Sequence, residues 1–97
     1  MGQVMLSAIW VGSFKATMTE TEDFREAVAK IARQLDLGHL LSEPFFSSNG
    51  LTQFILMPTG SKEGWPENNN WESLAASIAR MCAGTDFFIK RLYVASN

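Results

Sequence analysis

The hydrophobic positions of this chain switch between a period near two and a period near 3.6, and each switch predicts an element. Residues 4–15 (Val-Met-Leu-Ser-Ala-Ile-Trp-Val-Gly-Ser-Phe-Lys) are rich in strand formers and too irregular for a helix, so they predict a first strand. Gly12 within it marks a bulge or a close backbone approach. A helix follows. Thr19 and Glu22 stand at capping-box spacing, with Thr21 a competing N-cap, and Phe24, Ala27, Val28, Ile31 and Leu35 then trace one helical stripe. Acidic residues crowd its first turn and Lys30 and Arg33 come late, which complements the helix dipole; Gly38 is a natural stop.

At mid-chain the dipeptide Asn49-Gly50 separates two strand-like runs, residues 41–48 and 51–57. Asn-Gly tolerates the positive φ values of a type I′ turn and predicts a two-residue hairpin. That turn places Ser48 opposite Leu51, Phe45 opposite Phe54 and Phe46 opposite Gln53. Pro44 cannot donate a ladder hydrogen bond, so its strand belongs at an edge. A loop over 58–69 leads to a second helix capped by Asn70, with the stripe Trp71, Leu74, Ala75, Ile78 and Cys82 and a stop at Gly84. Residues 87–94 predict the last strand, with Lys90 and Arg91 on the other edge.

The order β-α-β-β-α-β within 97 residues predicts one α+β domain spanning 1–97 with the ferredoxin-like fold. That fold has a four-stranded antiparallel sheet in spatial order 4-1-3-2 and both helices on one face. Yet the strands are apolar on both faces. Phe45, Phe54 and Leu56 alternate with Phe46, Ile55 and Met57, and Leu6, Ala8, Trp10 and Phe14 alternate with Met5, Ile9 and Val11. In the last strand Phe87, Ile89 and Tyr93 alternate with Phe88, Leu92 and Val94. Two helices cover one face only, so the other should be an apolar interaction surface for a protein, either a host protein or a second copy.

Charge and composition narrow the function. A net charge of −2 gives no basic footprint, and residues 51–57 lack the Gly-containing basic pattern of RNA-recognition motifs. Direct nucleic-acid binding is not expected, although Trp10, Phe54 and Phe88 could pose as stacking aromatics. The lone Cys82 excludes an internal disulfide and reads as a buried thiol. The lone His39, past the first helix, cannot assemble a zinc site with one distant Cys, and no nucleophile-elbow serine is present for it to serve. Glu20, Glu22, Asp23 and Glu26 read as a solvated helix start, and Gly60-Ser61-Lys62-Glu63-Gly64 departs from the P-loop pattern. A non-catalytic protein without metal or cofactor is the expectation. Residues 1–14 lack a positive n-region and no run reaches membrane-span length, so a cytoplasmic location is expected, with no membrane contact.

The loop after the third strand is long for a connection, and Trp65 there either packs as a lid over the second helix or stands out as an interface anchor. From Phe54 onward the chain resembles small uncharacterised proteins of phage and prophage genomes. The resemblance covers somewhat under half of the chain and rests on a strand, the segment Ser61-Lys62-Glu63-Gly64-Trp65, an Asn-rich link, a helix and a final strand. It implies a phage accessory protein, a type that often binds host proteins, including inhibitors of CRISPR and other defence systems. Candidate partner-contacting residues are Lys62, Glu63, Trp65 and Glu67 in the loop, Trp10 and Phe46 on the sheet, and Lys90 and Arg91 on the edge strand. The alternative is a sheet-to-sheet dimer that holds a small molecule, or acts as a small enzyme, in a pocket on the open face lined by Trp10, Tyr93 and Arg91.

Overall fold

A computed structural model of the chain describes residues 4–60, 65 and 68–96. Strand β1 (Val4–Ser13) leads into helix α1 (Met18–Gln34), then β2 (His39–Leu41), β3 (Phe45–Phe46), β4 (Thr52–Pro58), α2 (Asn69–Cys82) and β5 (Phe88–Ser96). The architecture is α+β, with two helices and a five-stranded antiparallel sheet in the order β2-β4-β1-β5; β3 pairs with β4 on the same edge as β2.

Both helix starts fall earlier than the sequence suggests. The capping box is Thr17 with Glu20: the Thr17 hydroxyl accepts from the Glu20 N–H at 3.0 Å, and the Glu20 carboxylate accepts from the Thr17 N–H at 2.9 Å. Thr21 is no cap because its hydroxyl is spent inside. It is wholly buried, 2.8 Å from the Thr17 carbonyl and 2.9 Å from the Thr52 hydroxyl on β4. Helix α1 is stopped not by Gly38 but by Asp36, just past its C-cap Leu35, whose φ of 57° makes it the left-handed residue of a Schellman cap. Asp36 and Leu37 donate to the carbonyls of Arg33 and Ala32. His39 therefore opens a strand, with Nδ1 3.1 Å from the Leu37 carbonyl. Helix α2 is capped by Asn68, not Asn70; its side chain accepts from the Trp71 N–H at 2.8 Å.

The mid-chain hairpin has a three-residue loop instead of a two-residue one. Gly50 N–H donates to Ser47 C=O at 3.0 Å, Ser47 N–H donates to Leu51 C=O at 2.9 Å, and Gly50 takes a φ of 87°. Asn49 keeps a negative φ. This is a turn closed by a glycine bulge, in which only one residue must be left-handed. The extra loop residue shifts the register by one, so that Phe45 faces Gln53 and Phe46 faces Thr52. A one-residue slip exchanges faces. Phe45, not Phe46, thus joins Ile55 and Met57.

The expected second strand is split because Pro44 cannot donate to the ladder. Leu41 pairs with Leu56 but Phe45 with Gln53, so four residues of the outer strand span three of β4. Ser42 bridges the break: its N–H donates to Ile55 C=O and its hydroxyl accepts from Ile55 N–H, both at 2.9 Å.

Both helices pack on one sheet face. Ile9, Val11, Phe54 and Leu56 from the sheet meet Val28 and Ala32 of α1 and Trp71, Leu74 and Ile78 of α2, and none of these nine side chains is accessible. Phe24 closes the end of this core against Phe54 and Phe87, with ring centroids at 6.3 and 4.4 Å.

Candidate functional site

The alternate residues of the same strands form the open face, in three rows set by the pairing. Leu92 lies beside Ala8, and Met57 beside Leu40. Lys90, Trp10 and Ile55 follow in line, with Ser42 beyond them. Phe88, Gly12, Gln53 and Phe45 complete the third row. No carboxylate occurs among these residues, and Lys90 is their one charge.

The two halves of this face differ. One is aromatic and self-covering. The Trp10 indole folds over Gly12: a Cβ on that glycine would meet Trp10 Cη2 at 2.6 Å. Trp10 Nε1–H donates to Gln53 Oε1 at 2.7 Å, which fixes the ring along the sheet. Phe88 sits 5.3 Å from it, Phe14 stacks on Phe88 at 6.0 Å, and Lys90 Nζ lies 5.8 Å from the indole centroid. The other half is aliphatic and open. Leu40, Leu41, Ser42, Ile55 and Met57 line a shallow cleft of about 280 Å³, with Ser42 the one polar side chain on its wall. Leu40 is 66% exposed, Phe45 42%, Met57 39% and Leu92 38%.

Of the residues singled out from sequence, the structure brings Trp10 and Lys90 together on this face. Phe46 is exposed but lies on the opposite side of the sheet, beside Thr52. Arg91 also points to the helix side. Its guanidinium donates to both Glu72 carboxylate oxygens, Nη1 to Oε2 at 2.9 Å and Nη2 to Oε1 at 3.0 Å, and Nε donates to the Ser7 hydroxyl at 2.9 Å. Nη2 contacts the same hydroxyl. This pairing ties α2 to β1 and β5, and the hydrogen bonds from Arg91 hold the Glu72 carboxyl below its ordinary range. Tyr93, 5.7 Å from the Arg91 guanidinium, is on that side as well, so neither joins Trp10 in a pocket.

Trp65 is half-buried, and its carbonyl accepts from the Asn68 N–H at 2.9 Å. Lys62, Glu63 and Glu67 lie outside the described residues. Phe54, offered as a stacking aromatic, is fully buried under the helices. Leu40 and Phe45 are the contributors to the open face that sequence reasoning missed: Leu40 precedes the expected strand, and Phe45 depends on the loop length.

Among the described residues no group of three His, Cys, Asp or Glu is placed to hold a metal ion. Cys82 is buried, and burial pushes its thiol up. No helix among the described residues is long and apolar enough to cross a membrane. No family model matches the chain, and no curated protein matches it.

Proposed function

We propose that this chain is a ferredoxin-like, non-catalytic protein-binding module that docks its open sheet face against a protein surface. The observation that supports the reading is the open face itself. It is apolar across β1, β2, β4 and β5, carries no carboxylate among its described residues and is exposed at Leu40, Met57 and Leu92. Desolvating such a face costs little, and its one cation adds orientation. The sharper form is a phage-encoded inhibitor of a bacterial defence complex, similar in role to anti-CRISPR proteins and acting in the host cytoplasm. That form rests on the resemblance of residues 54–97 to small phage proteins.

The test compares the wild-type chain with Met57→Lys/Leu92→Lys, which places two charges at exposed positions and leaves the core untouched. The association of the wild-type chain with a protein, read as self-association or as a discrete species retained from bacterial lysate, should disappear in the variant. If the wild-type chain associates with nothing, or both chains retain the same species equally, the reading fails.

A second reading, a dimer holding a small molecule on the sheet, draws on the cleft beside Leu40. Its 280 Å³ lies at the small end of ligand sites, and Ser42 alone supplies polar recognition there, so it ranks below docking.

A further inference from the structure

We infer that Asn49-Gly50 is a site of spontaneous covalent modification, at which the Asn49 side-chain amide is lost as ammonia and the backbone is re-formed through the Asn49 side chain, releasing β3 from the sheet. Asn49 precedes glycine, whereas Asn68, Asn69 and Asn70 precede Asn, Asn and Trp.

The Gly50 amide nitrogen attacks Cγ of the Asn49 carboxamide. A new N–C bond closes a cyclic imide, and the bond from Cγ to Nδ2 breaks. Nδ2 leaves as ammonia, carrying the proton that the Gly50 N–H gives up. One water then opens the imide. Attack at Cγ leaves aspartate on the original backbone. Attack at the Asn49 backbone carbonyl carbon leaves isoaspartate, whose backbone runs on through Cβ and Cγ, with the α-carboxylate as a side group. Water is the sole co-reactant.

Three features of the hairpin favour this reaction. Asn49 is exposed, and a Cβ built on Gly50 would meet nothing within 4 Å, so no neighbour crowds the closing ring. The Ser47 hydroxyl donates to Asn49 Oδ1, the oxygen on which negative charge develops as Gly50 attacks, and a donor placed there lowers the barrier. Opening is the third. In the closed hairpin the Gly50 N–H is donated to Ser47 C=O, and this bond must part first. Little holds it, because β3 is two residues long, pairs with β4 and is separated from β2 by the break at Pro44. The other three asparagines are tied into α2. Asn68 caps it, accepting from the Trp71 N–H at 2.8 Å, and Asn69 and Asn70 lie in its first turn.

The consequence follows from loop length. Isoaspartate adds one carbon to the backbone of the three-residue loop. The bonds from Gly50 N–H to Ser47 C=O and from Ser47 N–H to Leu51 C=O, at 3.0 and 2.9 Å, then lose their geometry, and the pairing of Phe45 with Gln53 goes with them. Phe45 leaves the open face. Aspartate, the other product, keeps the backbone and therefore β3.

Incubation of the full chain at neutral pH, followed by proteolysis and mass spectrometry, tests the site. The peptide carrying Asn49 should exchange NH for O and split into two chromatographic isomers. Its rate should rise with pH and exceed that of Asn68, Asn69 or Asn70 by about tenfold or more. Conversion at Asn49 no faster than at those three overturns the site. Asn49→Gln should abolish the change in that peptide. Ser47→Ala should slow it by about three- to tenfold; a faster reaction would remove Ser47 from the chemistry and assign it to holding the hairpin shut. Hydrogen exchange on the isolated isoaspartate form, with Asn49→Asp as the control, tests the consequence. The Ser47 and Gly50 amides should lose protection in the isoaspartate form alone. Protection retained there overturns the release of β3.

Discussion

The two faces of this sheet are built from neighbouring residues of the same strands, and both are apolar, yet only one is a core. Ile9, Val11, Phe54 and Leu56 are inaccessible beneath the helices. Trp10, Ile55 and Met57, one residue away along the chain, look outward beside Leu40 and Leu92. Hydropathy therefore states what can be buried, and topology decides what is. The open face also treats its residues differently. Its aromatic half is held by contacts of its own, Trp10 on Gly12 and Gln53, whereas its aliphatic half has water or a partner opposite it.

The largest expected effect separates the two faces directly. Phe54→Ala should destabilise the chain by about 3–5 kcal/mol, because it removes a fully enclosed ring and leaves a cavity between sheet and helices. Met57→Ala in dilute solution should cost under about 1 kcal/mol, since its side chain already meets solvent. Urea unfolding at low protein concentration measures both. A comparable loss from Met57→Ala would show that the open face is packed within a single copy, and the contrast between the faces would collapse.

An intermediate effect is expected at Gly12, where the open face is tied down by its own aromatic half. A methyl group there would overlap Trp10 Cη2 at 2.6 Å and Cζ2 at 2.9 Å. Gly12→Ala must lift the indole and strain its bond to Gln53, a cost of about 1–3 kcal/mol. In a Trp10→Leu background most of that cost should vanish, so the double-mutant cycle should show coupling of about 1 kcal/mol or more. Additive effects would mean that Gly12 serves the backbone alone.

Part of this arrangement is legible in the sequence. The stripe Trp71, Leu74, Ala75, Ile78 and Cys82 is the buried face of α2, because a 3.6-residue period allows no other surface to pack. The presence of apolar residues on both strand faces is likewise plain from alternation. Registers and caps are not. Asn49-Gly50 announces a turn, but whether Asn49 or only Gly50 goes left-handed decides the loop length, and that choice exchanges Phe45 with Phe46. Thr17, Thr19 and Thr21 offer three starts to α1, and the choice depends on Thr52, thirty-one residues beyond Thr21, accepting the Thr21 hydroxyl. Arg91 points away from Lys90 as alternation requires, but its partner Glu72 comes from another element, which no local pattern reveals.

The smallest effect distinguishes the two adjacent cations of β5. Arg91 faces the helices and is forked onto Glu72, while Lys90 faces outward with no carboxylate among the described residues of that face. Hydrogen bonding to Arg91 holds the Glu72 carboxyl below its ordinary value of 4.5 in the folded chain. A carboxyl whose folded pKa is depressed binds its proton more readily in the unfolded chain. Its stabilisation is complete above the ordinary value and is lost as pH falls through the depressed one. The Glu72 side chain is 40% exposed, so solvent screening limits the contribution to about 0.5–1 kcal/mol. Glu72→Gln should therefore lower stability by that amount at neutral pH and flatten the acid limb of the stability–pH curve, whereas Lys90→Gln should leave that limb unchanged. Equal responses from the two variants would mean that the acid sensitivity reflects overall charge rather than the pair that fastens α2 to the sheet.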